Sequence, residues 1–249
     1  MWSVIWLLGT VSSVFGAAGN GVINFGGFMC PREEKALGGC LKDALNTYIP
    51  QLATGVPEFG VPPCEPLLVP SLSVQQSTGP ISVTSSYSEV TVRGPSTMRV
   101  RDVKVDAKNQ KVIAKIFIPE LRMKGHYNLA GHLLMIPIEG EGKFSAKYGD
   151  INVNVTIVLG RLPRANGKDV LSCKQLDVKF QVGYASVELE NLSDSDNDLG
   201  VAMNKYLNEN WQKLAEELQT PMEDALHDFL KPLADHAFAT LDADDILLP

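Results

Sequence analysis

The sequence lacks the common signatures of catalysis. It contains no G-x-S-x-G nucleophile elbow, no H-E-x-x-H zinc motif and no P-loop. None of its four histidines has a cysteine or a second histidine at the spacing of metal ligands. The acidic segment Ser193–Gly200 fails as a calcium loop, because Leu199 and Lys205 stand where that loop needs glycine and glutamate. We therefore predict no enzyme, metal or cofactor; a hydrolase with an unrecognised site is the catalytic alternative.

Positive charge is also scarce. The 249 residues contain 22 Lys and Arg against 29 Asp and Glu, which gives a net charge of −7 and a pI near 5.1. Such a chain repels phosphate backbones, so we predict no nucleic-acid partner. Hydrophobic residues make up 45% of the chain and charged residues 20%. This balance is typical of a globular protein, and the length is sufficient for one large domain.

The first 19 residues contain no charged side chain. Their apolar run ends in small residues at positions 16–18, which is typical of a secretory signal. The run is too short and too interrupted by Gly, Thr and Ser to cross a membrane. We predict a signal peptide over residues 1–18, one extracellular domain over residues 19–249 and no stable membrane insertion. Two sequons fit secretion and predict glycosylation at Asn154 and Asn191.

Cysteine is sparse for an extracellular protein. The four cysteines allow three pairings, and sequence alone does not choose among them. In an oxidising compartment we predict a disulfide between Cys30 and Cys40, which would join an entry strand to the first helix. Cys64 and Cys173 either pair with each other or remain buried thiols that behave as small hydrophobic residues.

An amphipathic helix is predicted near the N-terminus, with Pro31 at its first position. Gly38 and Gly39 are unfavourable inside a helix, so we expect close packing or a break there. Gly55 and Pro57 are expected to end the helix. Apolar residues at steps of three and four define one buried face, which consists of Leu37, Leu41, Leu45, Tyr48, Ile49 and Leu52.

The segment from about Leu67 to Leu192 has the periodicity of strands. Between Ile136 and Leu159, apolar and polar residues alternate, as in a strand with one buried face. Strands do not alternate with helices here, so we predict a long antiparallel sheet. Turns are predicted near Lys108–Asn109, Gly125–Gly131, Tyr148–Asp150 and Arg164–Gly167.

The tail of the chain returns to helical periodicity. Apolar residues recur at steps of three and four from Leu207 to Leu233. Thr220, Pro221 and Glu223 resemble an N-cap, a first-position proline and an N3 glutamate, so we predict a kink or a second helix there. A helix of this length would span roughly 45 Å, too long for a compact sandwich to cover. We predict an α+β fold in which a long, strongly curved antiparallel sheet wraps the C-terminal helix.

The most distinctive block of the sequence is Ile118–Phe144, IPELRMKGHYNLAGHLLMIPIEGEGKF. Together with Gly55–Pro70, Asn208–Trp211 and Ile246–Pro249, it resembles the insect takeout and juvenile-hormone-binding protein family. The resemblance implies a tubular lipid-binding (TULIP-like) fold. It also implies a secreted, non-enzymatic carrier with an internal apolar tunnel for a small lipophilic ligand, either a terpenoid such as juvenile hormone or a fatty-acid-like molecule.

Two departures from the family pattern involve cysteine. The haemolymph carriers of juvenile hormone have a second disulfide that joins a late strand to the C-terminal helix. Cys173 suits the strand half of such a bond, but residues 174–249 contain no cysteine. Cys64 stands where the family usually has leucine. The resemblance is therefore to the takeout-like branch.

The apolar faces of the ribbon and the long helix are predicted to enclose the ligand. Burial of apolar surface would supply the binding energy, and Tyr127 and Tyr184 are candidates to orient a polar group of the ligand. As an alternative, the same surfaces form a groove for a partner protein or a membrane lipid. The predicted ligand contacts are Ile116, Ile118, Leu121, Met123, Tyr127, Leu133, Met135, Phe144, Val153, Val155, Ile157, Tyr184, Trp211, Leu214, Leu218, Met222 and Phe229.

Overall fold

The computed structural model of the chain describes residues 22–25, 28–57, 61–77, 81–133, 136–164, 167–193 and 197–247. The predicted signal peptide, Met135 and part of the acidic segment (194–196) lie outside the described residues. In chain order the elements are β1 (Val22–Phe25), β2 (Phe28–Pro31), α1 (Glu34–Tyr48), β3 (Leu67–Gln76), β4 (Ile81–Arg93), β5 (Arg99–Asp106), β6 (Lys111–Leu133), β7 (Ile136–Pro163), β8 (Asp169–Gln181), β9 (Tyr184–Leu189), α2 (Asn197–Glu209), α3 (Trp211–Phe238) and α4 (Ala243–Ile246). Short 3-10 turns cover Ile49–Ala53 and Pro95–Thr97.

A seven-stranded antiparallel sheet forms the body of the molecule, in the order β3-β4-β6-β7-β8. The long strands β6 and β7 each pair with two shorter strands along one edge. β6 pairs with β4 and β5, and β7 pairs with β8 and β9. β1 and β2 form a separate hairpin.

The lengths of the elements require the sheet to curl. β7 and α3 both contain 28 residues. At about 3.3 Å per strand residue β7 would extend about 90 Å, whereas α3 spans about 42 Å. The sheet stays in contact with the helix only by bending around it, and register shifts in β4, β5 and β8 supply local bends. The predicted α+β architecture is confirmed.

Two of the predicted turns are wrong. Gly125–Gly131 lies inside β6 and Tyr148–Asp150 lies inside β7. These two strands pair with each other along their shared length, so the ladder of backbone hydrogen bonds overrides the local turn preference of glycine and polar residues. The turn at Lys108–Asn109 is confirmed, because it separates β5 from β6. The turn at Arg164–Gly167 falls partly outside the described residues, and the Gly167 amide donates to the Arg164 carbonyl at 3.0 Å.

The first helix differs from its prediction at both ends. Pro31 closes strand β2, and α1 begins at Glu34. The helix ends at Tyr48 and continues as a 3-10 turn to Ala53. The last predicted helical turn is therefore wound more tightly than the rest, which is common where a helix ends.

The contact of α1 with the sheet explains one of its glycines. A β-carbon on Gly38 would lie 2.4 Å from the carbonyl oxygen of Val103 in β5, so the helix can approach this closely only with glycine. A β-carbon on Gly39 would meet nothing within 4 Å. The disulfide between Cys30 and Cys40 joins β2 to α1, as predicted.

The C-terminal helices break at a different place from the predicted one. α2 ends at Glu209 and α3 begins at Trp211, while α3 runs uninterrupted through Pro221. A second helix starting at Thr220 is therefore wrong. Each proline inside a helix leaves one carbonyl without its donor, and the packing of α3 against β8 and β3 maintains the helix.

The inward face of β7 meets the long helix, as predicted. Val153, Val155 and Ile157 pack with β8 side chains against Leu226 and Leu230 of α3. The buried centre of this cluster consists of Cys173, Leu176 and Val178. This cluster packs α3 against β7 and β8, and we call it the packed middle.

Candidate ligand cavity

An apolar cavity of about 230 Å³ lies at one end, between the curled sheet and helices α2 and α3. None of the residues that line it is charged, and most are aliphatic or aromatic. The 21 lining residues are Leu72, Tyr87, Val90, Met123, Phe144, Ala146, Tyr148, Phe180, Val182, Ala185, Ser186, Val187, Leu189, Leu207, Asn208, Trp211, Leu214, Ala215, Leu218, Gln219 and Met222. We call this space the main cavity.

Six of the predicted ligand contacts line the main cavity. β6 and β7 contribute one each, and α3 contributes four at helical steps. Their shared direction follows from the two periodicities, because alternate strand residues and every third or fourth helix residue face the same side. These residues are Met123, Phe144, Trp211, Leu214, Leu218 and Met222.

Other predicted contacts face inward but line no part of this cavity. Val153 and Val155 belong to the packed middle, and Leu121 and Phe229 pack against the core beside the cavity. Ile116 packs in the cluster beneath α1. The role of these side chains as ligand contacts stays a prediction.

The remaining predicted contacts are scattered. Ile118 is half-buried in β6, where it pairs with Ile151. The backbone of Leu133 pairs with Ile136 at the end of β6, and Met135 lies outside the described residues. Ile157 lines a second cavity rather than the main one. These residues lie along the whole length of the sheet and do not form one site.

The two tyrosines predicted to orient the ligand lie away from the main cavity lining. Tyr127 is buried in the core, with its hydroxyl donating to the Glu190 carbonyl at 2.6 Å. Its hydrogen-bonding capacity is therefore used by the protein itself. Tyr184 is 46% exposed at the start of β9. Strand alternation alone did not distinguish these environments.

A different tyrosine presents its hydroxyl to the cavity. Tyr148 lines the main cavity, and burial raises its pKa to about 12, with a further contribution from nearby Tyr87. Among the described residues, every side-chain nitrogen or oxygen without accessible surface has a hydrogen-bond partner. The Tyr148 hydroxyl has no such partner among these residues. That oxygen therefore keeps accessible surface, and the cavity that Tyr148 lines provides it. The sequence prediction missed Tyr148 because it fell within a predicted turn.

A second polar group at the cavity wall is held by the buried carboxylate of an ion pair. Glu223 is 5% exposed and accepts from Lys179 Nζ at 2.7 Å and from Gln219 Nε2 at 2.9 Å. Burial alone would raise the pKa of Glu223, but the hydrogen bonds from Lys179 and Gln219 outweigh it and the pKa is lowered. Glu223 is therefore ionised at neutral pH and fixes the amide of Gln219, which lines the cavity.

Two asparagines of α2 hold the helix over the cavity. Asn204 exchanges two hydrogen bonds with the backbone of Leu189, both at 2.9 Å. Asn208 does the same with Val187, accepting at 2.9 Å and donating at 2.7 Å. The two side chains thus occupy the free edge of β9 as a neighbouring strand would. We call this arrangement the asparagine ladder; it explains the first residue of the NENW segment.

A second apolar cavity of about 210 Å³ lies at the opposite end, among α1, β5, β8 and α4. It shares no lining residue with the main cavity. Its polar lining residues, Asp106 and Gln110, lie at the hairpin between β5 and β6. The two cavities therefore have separate linings.

The remaining cysteines are unpaired thiols. Cys64 is half-buried, and Cys173 is buried between β8 and α3. Burial raises the pKa of both thiols, which keeps them protonated at neutral pH. Asn154 and Asn191 are both exposed, and their glycosylation stays a prediction.

The family model for haemolymph juvenile hormone binding protein matches residues 22–248. The chain belongs to this family. The resemblance drawn from the sequence is thereby confirmed. No helix among the residues that the structure describes is long and apolar enough to cross a membrane.

This chain is distant in sequence from its relatives. It is 22% identical over 213 residues to the Drosophila melanogaster protein "Circadian clock-controlled protein daywake", with 83% of this chain and 82% of the relative covered. It is 22% identical over 151 residues to the Schistocerca gregaria protein "Putative beta-carotene-binding protein", with 60% and 59% covered. The crystal structure of Takeout 1 from Epiphyas postvittana superposes with a TM-score of 0.72 at 24% identity, covering 84% of this chain and 95% of that one. This likeness establishes the fold.

Proposed function

We propose that the protein is a secreted, non-enzymatic carrier that holds one neutral lipophilic molecule in the main cavity. The single observation that carries this proposal is an apolar cavity between the sheet and the helices whose walls have no charged residue. A ligand that buries about 300 Å² of apolar surface there would gain roughly 7 kcal/mol before the costs of immobilisation. The charge-free leader of the sequence supports secretion.

Electrostatics favours a neutral ligand over a fatty-acid anion. An ionised carboxylate inside an apolar cavity is costly unless a cation pairs with it. The cavity lining contains no Lys, Arg or His, and the Lys179 ammonium beside it is directed at Glu223. Glu223 itself is negative. We therefore propose a terpenoid-like ligand with a neutral polar group. The juvenile-hormone-binding family and the beta-carotene-binding name of the Schistocerca gregaria relative support this class.

The first test is native mass spectrometry of protein secreted from eukaryotic cells, followed by organic extraction. We expect one neutral lipid per chain. A mass without an adduct, and no uptake of farnesol or of a fatty acid on incubation, would favour the alternative of a groove for a partner protein or a membrane lipid. A stoichiometric fatty-acid adduct would support the carrier and contradict the neutral ligand.

Replacing Tyr148 with phenylalanine tests the proposed hydrogen bond to the ligand. We expect the affinity for farnesyl acetate, which accepts hydrogen bonds, to fall about 3- to 10-fold. The affinity for farnesene, which accepts none, should stay within two-fold of wild type by the same reasoning. Trp211 lines the cavity and is the single tryptophan outside residues 1–18, so its fluorescence reports both titrations.

The matched control for this change is Tyr206→Phe, which removes a hydroxyl from an exposed tyrosine of α2. This variant should bind both ligands as wild type does. Equal losses for farnesyl acetate and farnesene in Tyr148→Phe would indicate a general effect on packing and not a lost hydrogen bond.

A further inference from the structure

The amide of Gln219 has a fixed orientation. Its nitrogen Nε2 donates to the Phe180 carbonyl at 3.2 Å and to Glu223 Oε1 at 2.9 Å. Both partners are acceptors, so only the NH₂ end of the amide satisfies them.

Glu223 can serve only as an acceptor in this arrangement. Lys179 and the backbone amide of Phe180 also donate to it, at 2.7 Å and 3.4 Å. The lowered pKa of Glu223 keeps the carboxylate ionised. If Glu223 were protonated, its carboxyl could donate to Gln219 Oε1, and the amide would then take the opposite orientation. The ion pair with Lys179 opposes this protonation.

The oxygen Oε1 of Gln219 receives no hydrogen bond from the described residues, and the half-buried side chain contributes to the cavity wall. Every described polar side-chain atom without accessible surface does have a partner, so Oε1 keeps some accessible surface. Gln219 lines the main cavity. The wall therefore offers a hydrogen-bond acceptor, and this acceptor cannot rotate to become a donor without breaking two bonds.

We infer that Gln219, positioned by Glu223, selects ligands whose polar group donates a hydrogen bond, which among neutral lipids means alcohols. This inference rests on the proposed function and specifies its ligand class. Tyr148 does not discriminate in this way, because a phenol can either donate or accept. An ether or ester in the same position leaves Gln219 Oε1 desolvated and without a hydrogen-bond donor. A site that hydrogen-bonds a ligand hydroxyl binds analogues without that hydroxyl more weakly.

The test compares farnesol with farnesyl methyl ether by Trp211 fluorescence. In the wild-type protein we expect the alcohol to bind about ten-fold more tightly than the ether. In Gln219→Met the two dissociation constants should become about equal, chiefly because the alcohol loses affinity. Glu223→Met should reduce the ratio in the same direction, since an amide that is free to rotate accepts or donates equally well.

The ratio of the two affinities separates selection from general damage. A loss of folding or of cavity shape weakens both ligands together and does not equalise them. Gln212→Met, an exposed glutamine of the same helix that does not line the cavity, should keep the wild-type ratio.

The outcomes distinguish this inference from the proposed function. Tight binding of both ligands with equal affinity by the wild-type protein would overturn the inference and leave the proposed carrier function standing. This comparison requires no variant. Failure to bind either ligand, or farnesene, would overturn the carrier and the inference with it. A ten-fold ratio that persists in Gln219→Met would assign the selection to another residue and overturn the role of Gln219.

Discussion

Replacing Ala146 with phenylalanine is expected to abolish ligand uptake while the protein remains folded. Ala146 is 7% exposed in β7 and lies between Phe144 and Tyr148 on the wall of the main cavity. A benzyl ring at this position would occupy space that the ligand needs. Inserting bulk into a filled core typically costs about 1–3 kcal/mol of stability; here the ring enters a void, so we expect the lower part of that range.

Titration of Trp211 fluorescence and thermal unfolding followed by circular dichroism measure the two effects. We expect the affinity for farnesol to fall by about 100-fold or more, because the apolar contacts that drive binding are blocked. Ala130→Phe makes the same change on the exposed face of β6 and should bind normally. Normal binding by the Ala146 variant would instead locate the ligand in the second cavity or on the surface.

Replacing Asn208 with alanine should lower the free energy of unfolding markedly. The side chain satisfies both the N–H and the C=O of Val187. Its removal leaves two backbone groups at a half-buried edge without partners, each at a cost of about 1–3 kcal/mol. We expect the free energy of unfolding to fall by about 2–4 kcal/mol in total.

Equilibrium urea denaturation measures this loss. Asn210→Ala provides the control two residues away, because the Asn210 side chain donates only to the Tyr206 carbonyl within its own helix, at 2.9 Å and in an exposed position. We expect that variant to lose less than about 1 kcal/mol. Similar losses for the two variants would mean that water replaces the asparagine at the strand edge and that the ladder contributes little.

The sequence predicts the architecture well because the architecture depends on periodicity. The alternation between Ile136 and Leu159 and the helical steps after Leu207 specify a one-sided sheet and a one-sided helix. The strand boundaries are predicted less well. The glycine-containing segments inside β6 and β7 have an amino-acid composition typical of turns. Only their pairing with residues distant in sequence keeps them extended.

The candidate site is predicted in part for a related reason. Periodicity shows which side chains face inward, and Met123 and Phe144 reach the cavity accordingly. It does not show whether an inward side chain meets a void or another side chain, so Val153 and Val155 could not be told apart from them. Tyr148 and Gln219 escaped prediction because their roles depend on partners distant in sequence.

The asparagine ladder has a consequence for the behaviour of the protein in concentrated solution. An uncovered strand edge is a template on which a strand from another molecule can add, and chains with such edges aggregate. Asn204 and Asn208 occupy this edge of β9 from within the same chain. The helix that covers the cavity therefore also blocks intermolecular strand addition at this end of the sheet.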